Sequence, residues 1–281
     1  MAQKCTVKDI IAMKGQGKKI SMLTAYDAAM AKMLDDAGVD ILLIGDSLGM
    51  VLLGYDSTVP VTMEEMLHHA RAVSRGRQKA LVVGDMPFGS YQSGLNEAVT
   101  NGVRFMKEAG CDAVKLEGGE EMCDVVRALT RAGVPVMGHV GLTPQTAGQL
   151  GGFKVQGQDI ASARKMLADA RALAAAGVFA IVLECVPGEL AGIVTRSVNV
   201  PTIGIGAGPE CDGQVLVTND LLGMFEKFTP SFVKQYANLA SQIGKAVASF
   251  RDEVEKGIFP AQEHTFASQA DFKSLLQEND S

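Results

Sequence analysis

Short apolar runs punctuate the chain, each led in by glycine and followed by an ionisable residue. The clearest is Ile-Leu-Leu-Ile at 41–44, which follows Gly38 and leads to Gly45-Asp46-Ser47. A run this short and this apolar predicts a strand buried on both faces, as in a parallel sheet covered by helices. The pattern recurs after Gly110 as Ala-Val-Lys-Leu-Glu117, after Gly133 as Pro-Val-Met-Gly-His139, and after Gly177 as Phe-Ala-Ile-Val-Leu-Glu184. Leu-Val-Val-Gly-Asp85 is a further variant. Glycine suits the end of the helix before each strand, because it takes the left-handed conformation without steric cost.

Between these runs, amphipathic stretches predict helices over 26–37, 62–75, 96–109, 120–130, 159–176 and 190–196. Thr62-Met-Glu-Glu65 has the form of a capping box at the start of the second of these. Residues 1–18 are polar and predict a short helix plus a loop. Thr-Pro-Ser-Phe at 229–232 predicts the opening of a last helix that runs to about 256. Strands are expected at 19–25, 39–46, 80–85, 112–117, 135–139, 179–184, 201–208 and 214–219, the last with the faintest pattern. Strands alternating with helices in this way predict an α/β fold, a (β/α)8 barrel, with an open doubly wound sheet as the alternative. The chain has 281 residues, and such a barrel typically needs ~250. One barrel domain over 1–266 with a polar tail at 267–281 fits better than two domains.

Lys and Arg number 26 against 32 Asp and Glu, a net charge of −6, and no basic stripe stands out. Nucleic acid and anionic membrane are therefore poor partners. The five cysteines, at 5, 111, 123, 185 and 211, form no C-x-x-C pair. Reduced thiols in a cytoplasm are the expectation. No apolar run approaches the ~20 residues of a membrane span, and the first twenty residues lack the apolar core of a signal peptide.

The chemistry sits at the strand ends, which in a barrel of this kind form the mouth of the active site. Side chains alternate faces along a strand, so Lys115 and Glu117 share one face while Val114 and Leu116 take the other. Lys115 and Glu117 are either a structural ion pair or a pair facing the barrel interior. Asp46 and Asp85 end two consecutive strands, as turn or cap residues or, with Glu117, as an oxygen-rich cluster of the kind hard cations such as Mg²⁺ take. Glu184 is a salt-bridged carboxylate or a general base in an apolar-walled site. His139 lies in Gly-His-Val-Gly-Leu-Thr-Pro-Gln145, where flanking glycines suggest room for a ligand at the backbone. Ile-Gly-Ile-Gly-Ala-Gly208 only loosely resembles a dinucleotide fingerprint and is read as a turn lining the pocket. His68 and His69 read as surface residues.

Leu-Thr-Ala-Tyr-Asp27, Gly-Asp-Ser-Leu-Gly49, Gly-Asp-Met-Pro-Phe88, Val-Lys-Leu-Glu-Gly118, Gly-His-Val-Gly-Leu-Thr-Pro-Gln145, Ile-Gly-Ile-Gly-Ala-Gly208 and Phe-Pro-Ala-Gln-Glu-His264 occur in this order. With them the chain closely resembles the ketopantoate hydroxymethyltransferase family. The resemblance implies a TIM barrel of the phosphoenolpyruvate/pyruvate-binding type, assembled as a homodecamer. It also implies Mg²⁺ and 5,10-methylenetetrahydrofolate, acting on 3-methyl-2-oxobutanoate through a Mg²⁺-stabilised enolate. Carried over by position, Asp46, Asp85 and Glu117 correspond to the metal site. Asp46, Ser47, Asp85 and Lys115 correspond to the keto-acid site, to which His139 is added as a substrate contact. Glu184 corresponds to the proton acceptor. Asn219 departs from the family, whose members usually carry His there. A phosphoenolpyruvate-type lyase or mutase is a second reading, but the Lys-Lys-Cys-Gly-type loop it calls for is not in the sequence. A barrel retained as a scaffold is a third, set against four site carboxylates all in place.

Overall fold

The apolar runs pair side by side in the order in which they occur. A computed structural model describes residues 4–149, 151–270 and 272. Its strands are β1 (Ile20–Thr24), β2 (Ile41–Ile44), β3 (Leu81–Asp85), β4 (Ala113–Glu117), β5 (Val136–Gly141), β6 (Ala180–Glu184), β7 (Thr202–Ile205) and β8 (Gly213–Leu216). All neighbours are parallel, and β8 pairs with β1, Val215 opposite Met22, to close the barrel. The open-sheet alternative is thereby excluded.

Helices α1 (Val7–Gln16), α2 (Ala28–Asp36), α3 (Leu48–Val51), α4 (Met63–Gly76) and α5 (Leu95–Lys107) are followed by α6 (Cys123–Arg131), α7 (Ile160–Ala176), α8 (Gly188–Ser197), α9 (Thr218–Leu221) and α10 (Leu239–Glu255). The capping box forms as read: Glu65 N–H donates to Thr62 Oγ1, and Thr62 N–H donates to Glu65. Such a cap is worth about 1 kcal/mol.

Alternation sorts the strands into two cores. The even row of β2 and β4, Leu42, Ile44, Val114 and Leu116, packs against the helices. The odd row, with Ile41, Leu43, Leu81, Val83 and Ala113, fills the barrel with Met137, Ala180 and Val182. Ile10 and Met13 of α1 join this inner cluster. Gly84 lies in the outer row, where a Cβ would stand 2.4 Å from Phe105 of α5. Glycine there lets the helix close onto the sheet.

Two elements differ from expectation. β8 ends at Leu216, and 218–221 turn into α9, because the Thr218 hydroxyl donates to the Thr24 carbonyl and the Thr218 N–H donates to Thr24 Oγ1. The last helix starts at Leu239, where Asn238 caps it, and not at 229. The stretch before it runs irregularly past the barrel mouth, Phe232 lying where a Cβ on Gly206 would stand 2.7 Å from its ring. Tertiary contact there overrides the local Thr-Pro start signal. The tail expected at 267–281 lies partly outside the described residues, at 271 and 273–281. No helix among the described residues is long and apolar enough to cross a membrane.

Candidate active site

The inner row of each central strand begins apolar and ends ionisable. On β3 it reads Leu81, Val83, Asp85; on β4 Ala113, Lys115, Glu117; on β5 Met137, His139; on β6 Ala180, Val182, Glu184. Register aligns the ends, with Asp85 opposite Lys115 and Glu117 opposite His139. The polar groups therefore meet on one rim, above an apolar plug. Asp46 reaches the same rim by a different route: β2 stops at Ile44, and the chain turns. Asp46, Ser47, Asp85, Lys115, Glu117, His139 and Glu184 all line one cavity of about 460 Å³.

Asp46, Asp85, Lys115, Glu117 and His139 are buried. Lys115 Nζ donates to Asp85 Oδ1 at 2.6 Å and lies 3.7 Å from Glu117 Oε1. His139 sits between two carboxylates, Nδ1 3.5 Å from Glu117 Oε1 and Nε2 3.3 Å from Glu184 Oε2. Neither ring nitrogen is aimed well enough for a hydrogen bond, so this attraction is one of charge. The Ser47 hydroxyl lies 2.9 Å from Tyr26 Oη. Glu184 has 17% of its side chain exposed, more than the other charged members of the cluster.

Burial, followed by the charges of Asp85 and Glu117, pushes the Asp46 carboxyl well above the usual range. Asp85 is raised as well, chiefly by burial, against the pull of Lys115. Burial opposes the charge on Glu117, but His139 and Lys115 outweigh it and hold the carboxyl below its ordinary value. Lys115 is likewise raised, with Asp85 and Glu117 overcoming desolvation. Burial and Lys115 both disfavour the imidazolium of His139, yet Glu117 and Glu184 lift it to about 9. Three buried carboxyls thus face one ammonium and a shared imidazolium, and Asp46 is the member left without a cation.

Some assignments change. Among the described residues no three His, Cys, Asp or Glu side chains gather tightly enough to hold a metal by themselves. Glu117 Oε2 accepts from the Gln145 N–H, and its Oε1 faces Lys115 and His139. The glycines around His139 do not open room for a ligand. A Cβ at Gly138 would meet Leu173 of α7, and one at Gly141 would stand 2.3 Å from the Glu184 carbonyl. His69 is no free surface residue, since its Nδ1 lies 2.7 Å from the Tyr26 carbonyl.

Three residues of the site escaped the sequence reading. Gln145 and Tyr91 are buried beside the carboxylates; Gln145 stood in a quoted motif but carries no charge to mark it. Asp220 lines the cavity, and burial lifts its carboxyl to about 6. The outer half of the cavity is apolar, with Phe153, Phe225, Phe228 and Phe232 around its mouth.

A family model described as ketopantoate hydroxymethyltransferase matches residues 4–262. The chain belongs to the ketopantoate hydroxymethyltransferase family. It is 64% identical over 275 residues to the 3-methyl-2-oxobutanoate hydroxymethyltransferase of Desulfotalea psychrophila, covering 98% of this chain and 99% of that one. The corresponding protein of Moorella thermoacetica is 59% identical, over 95% and 100% of the two chains. The protein is therefore an enzyme, a 3-methyl-2-oxobutanoate hydroxymethyltransferase by family. Among solved structures, a phosphonopyruvate hydrolase superposes with a TM-score of 0.60 at 14% identity over 99% of this chain and 96% of that one. A phosphonopyruvate hydrolase in complex with oxalate and Mg²⁺ gives 0.58 at 15%, over 98% and 95%. At such identities the likeness shows the barrel fold that this family shares with them.

Proposed function

We propose that this hydroxymethyltransferase takes its one-carbon unit from 5,10-methylenetetrahydrofolate and works through the enolate of 3-methyl-2-oxobutanoate, with Mg²⁺ at the Asp46–Asp85 edge of the rim. The observation that carries this reading is the placement of one partly exposed carboxylate, Glu184, beside the buried His139 and on the same rim as the buried Lys115–Asp85 pair.

The donor set fits magnesium. This ion is held through one or two carboxylates, with water and substrate oxygens completing its shell, so it needs no three-residue cage. Asp46 and Asp85 lie side by side, the Asp46 N–H 3.3 Å from Asp85 Oδ2, and Asp46 lacks a countercharge. Glu117 stands behind them, against Lys115. When bound, Mg²⁺ supplies Lewis acidity to a carbonyl oxygen. The solved hydrolase complex, which shares the fold, holds oxalate and Mg²⁺.

Glu184 removes the proton at C3 of the keto acid, a step for which a positioned base contributes roughly 10²–10⁴-fold. Lys115 places fixed positive charge where enolate charge develops. His139 holds Glu184 toward the substrate, and Ser47 with Asp46 and Asp85 orients the keto acid. Water takes the one-carbon unit off the folate at the formaldehyde level and frees tetrahydrofolate. The enolate carbon adds to that carbonyl carbon, and the alkoxide formed takes up a proton to become the hydroxymethyl group. The phenylalanines at the mouth suit a flat heteroaromatic ring, with Lys154 nearby for a carboxylate tail. Assembly with further copies of the chain, up to a decamer in the cytoplasm, completes the reading. Ile243, Val247, Phe250 and Val254 form an exposed stripe on α10, a face that calls for a partner.

The test is deuterium exchange at C3 of 3-methyl-2-oxobutanoate in D₂O, followed by proton NMR without any folate. Exchange that needs Mg²⁺ is expected. Exchange that persists at full rate after chelation, or none with Mg²⁺ present, would overturn the enolate route.

A further inference from the structure

Gln145 is uncharged, buried and outside the chemistry described above, yet its side chain reaches two neighbouring segments of the rim and its backbone N–H a third. It sits in the loop after β5. Its Nε2 donates to Asp46 Oδ2 and to the Met86 carbonyl, both at 2.9 Å. Its Oε1 accepts from Tyr91 Oη at 2.8 Å, and its backbone N–H donates to Glu117 Oε2 at 3.0 Å. The Tyr91 hydroxyl, from the loop after β3, accepts in turn from the Glu117 N–H at 3.2 Å. The amide can face only one way: Met86 offers a carbonyl and Asp46 a carboxylate, so both require its NH₂ side. Among the described residues, Gln145 supplies the one hydrogen bond that the Asp46 carboxylate accepts.

Charge explains the choice of residue. A lysine or arginine in this place would orient Asp46 but would also neutralise it and compete with a cation. An amide fixes one carboxylate oxygen by a hydrogen bond and leaves the negative charge and the second oxygen free. Such outer partners matter to a metal site because they set the direction of the ligand's lone pairs.

We propose that Gln145 is a positioning residue which, braced by Tyr91, holds the carboxylates of Asp46 and Glu117 in fixed orientations across the barrel mouth and leaves the free oxygen of Asp46 to a divalent cation. The inference rests on the metal reading above.

Mn²⁺ serves as the probe, its binding to the full chain measured by the electron paramagnetic resonance signal of the free ion. Gln145→Met removes all three side-chain amide hydrogen bonds while keeping the bulk. Its Mn²⁺ affinity should fall about 10–100-fold, the usual effect of losing an outer partner, with kcat reduced and the thermal midpoint of the metal-free protein near that of the parent. Tyr91→Phe removes only the brace and should weaken Mn²⁺ by a smaller factor, about 2–10-fold by the same reasoning. A purely structural role would lower the thermal midpoint and leave Mn²⁺ affinity unmoved, and that result overturns the proposal. Should Gln145→Met fail to fold, parental Mn²⁺ affinity in Tyr91→Phe overturns it instead. Asp85→Ala separates the two layers of the argument. Binding that survives Gln145→Met but is lost in Asp85→Ala sinks this inference alone, whereas a parent that takes up no Mn²⁺ sinks the metal reading with it.

Discussion

On the β3–β6 side of the cavity almost every functional group is held by another, Lys115 by Asp85, Glu117 by the Gln145 N–H, His139 between Glu117 and Glu184. On the side formed by β7, β8 and the loop after them, the wall is phenylalanine and aliphatic carbon, and the polar member Asp220 has burial as the cause of its raised pKa. On the proposed reaction, the first side is preorganised for developing charge. The second offers area to a ligand, and little of it is fixed by polar bonds. One cavity therefore divides its work between a rigid polar rim and an adaptable apolar mouth, and substitutions on the two sides should separate in kcat and KM.

The largest effect is expected from the polar side. Glu184→Gln should lower kcat about 10²–10⁴-fold while the keto acid still binds, and should stop exchange at C3 in D₂O. Exchange at the parental rate in this variant would remove Glu184 as the base and blur the division.

A middle effect is expected from the apolar side. Phe228→Ala should raise KM for the folate donor about tenfold, in line with the ~1–3 kcal/mol of stacking a ring on an aromatic side chain. KM for the keto acid should stay put, and steady-state titration of each substrate reads both. A rise in both KM values would mean that the mouth also shapes the inner site.

The smallest effect belongs to Asp220. Its carboxyl is raised from 3.8 to about 6 in the folded chain by burial. A raised folded pKa favours the fold when the group is protonated: this contribution is complete below about pH 4 and is lost as pH rises through about 6. Asp220→Asn should therefore leave the thermal midpoint unchanged near pH 4 and raise it by about 1–3 °C at pH 7.5. An equal shift at both values would show that packing, not charge, sets its cost.

Much of this was legible along the chain because period-two alternation ties position to face. Once 113–117 is a strand, Lys115 and Glu117 must share a side with Ala113, and a barrel interior is the one place where their partners on β3 and β5 can meet them. The strand ends, the carboxylates at 85, 117 and 184, and the helix cap at Thr62 are local in this sense. The last helix was misplaced because Thr229-Pro230 is a good local start signal, outweighed by a phenylalanine packed over Gly206. Gln145 and Tyr91 were passed over because neutral side chains show their value only once their partners, dozens of residues away, are brought within 3 Å.

The order of residues by itself determined the barrel, its inner row of ionisable groups and, through family motifs, the class of reaction, since each follows from spacing of two or from contiguous strings. Tertiary structure decided who holds whom. It sent Asp46 inward through a turn that strand parity does not describe, withdrew Glu117 toward Lys115 and His139, and placed an amide between two carboxylates. Hydrogen bonds and charge pairs act over a few ångströms in space, and no local pattern encodes that distance until the ring of strands has closed.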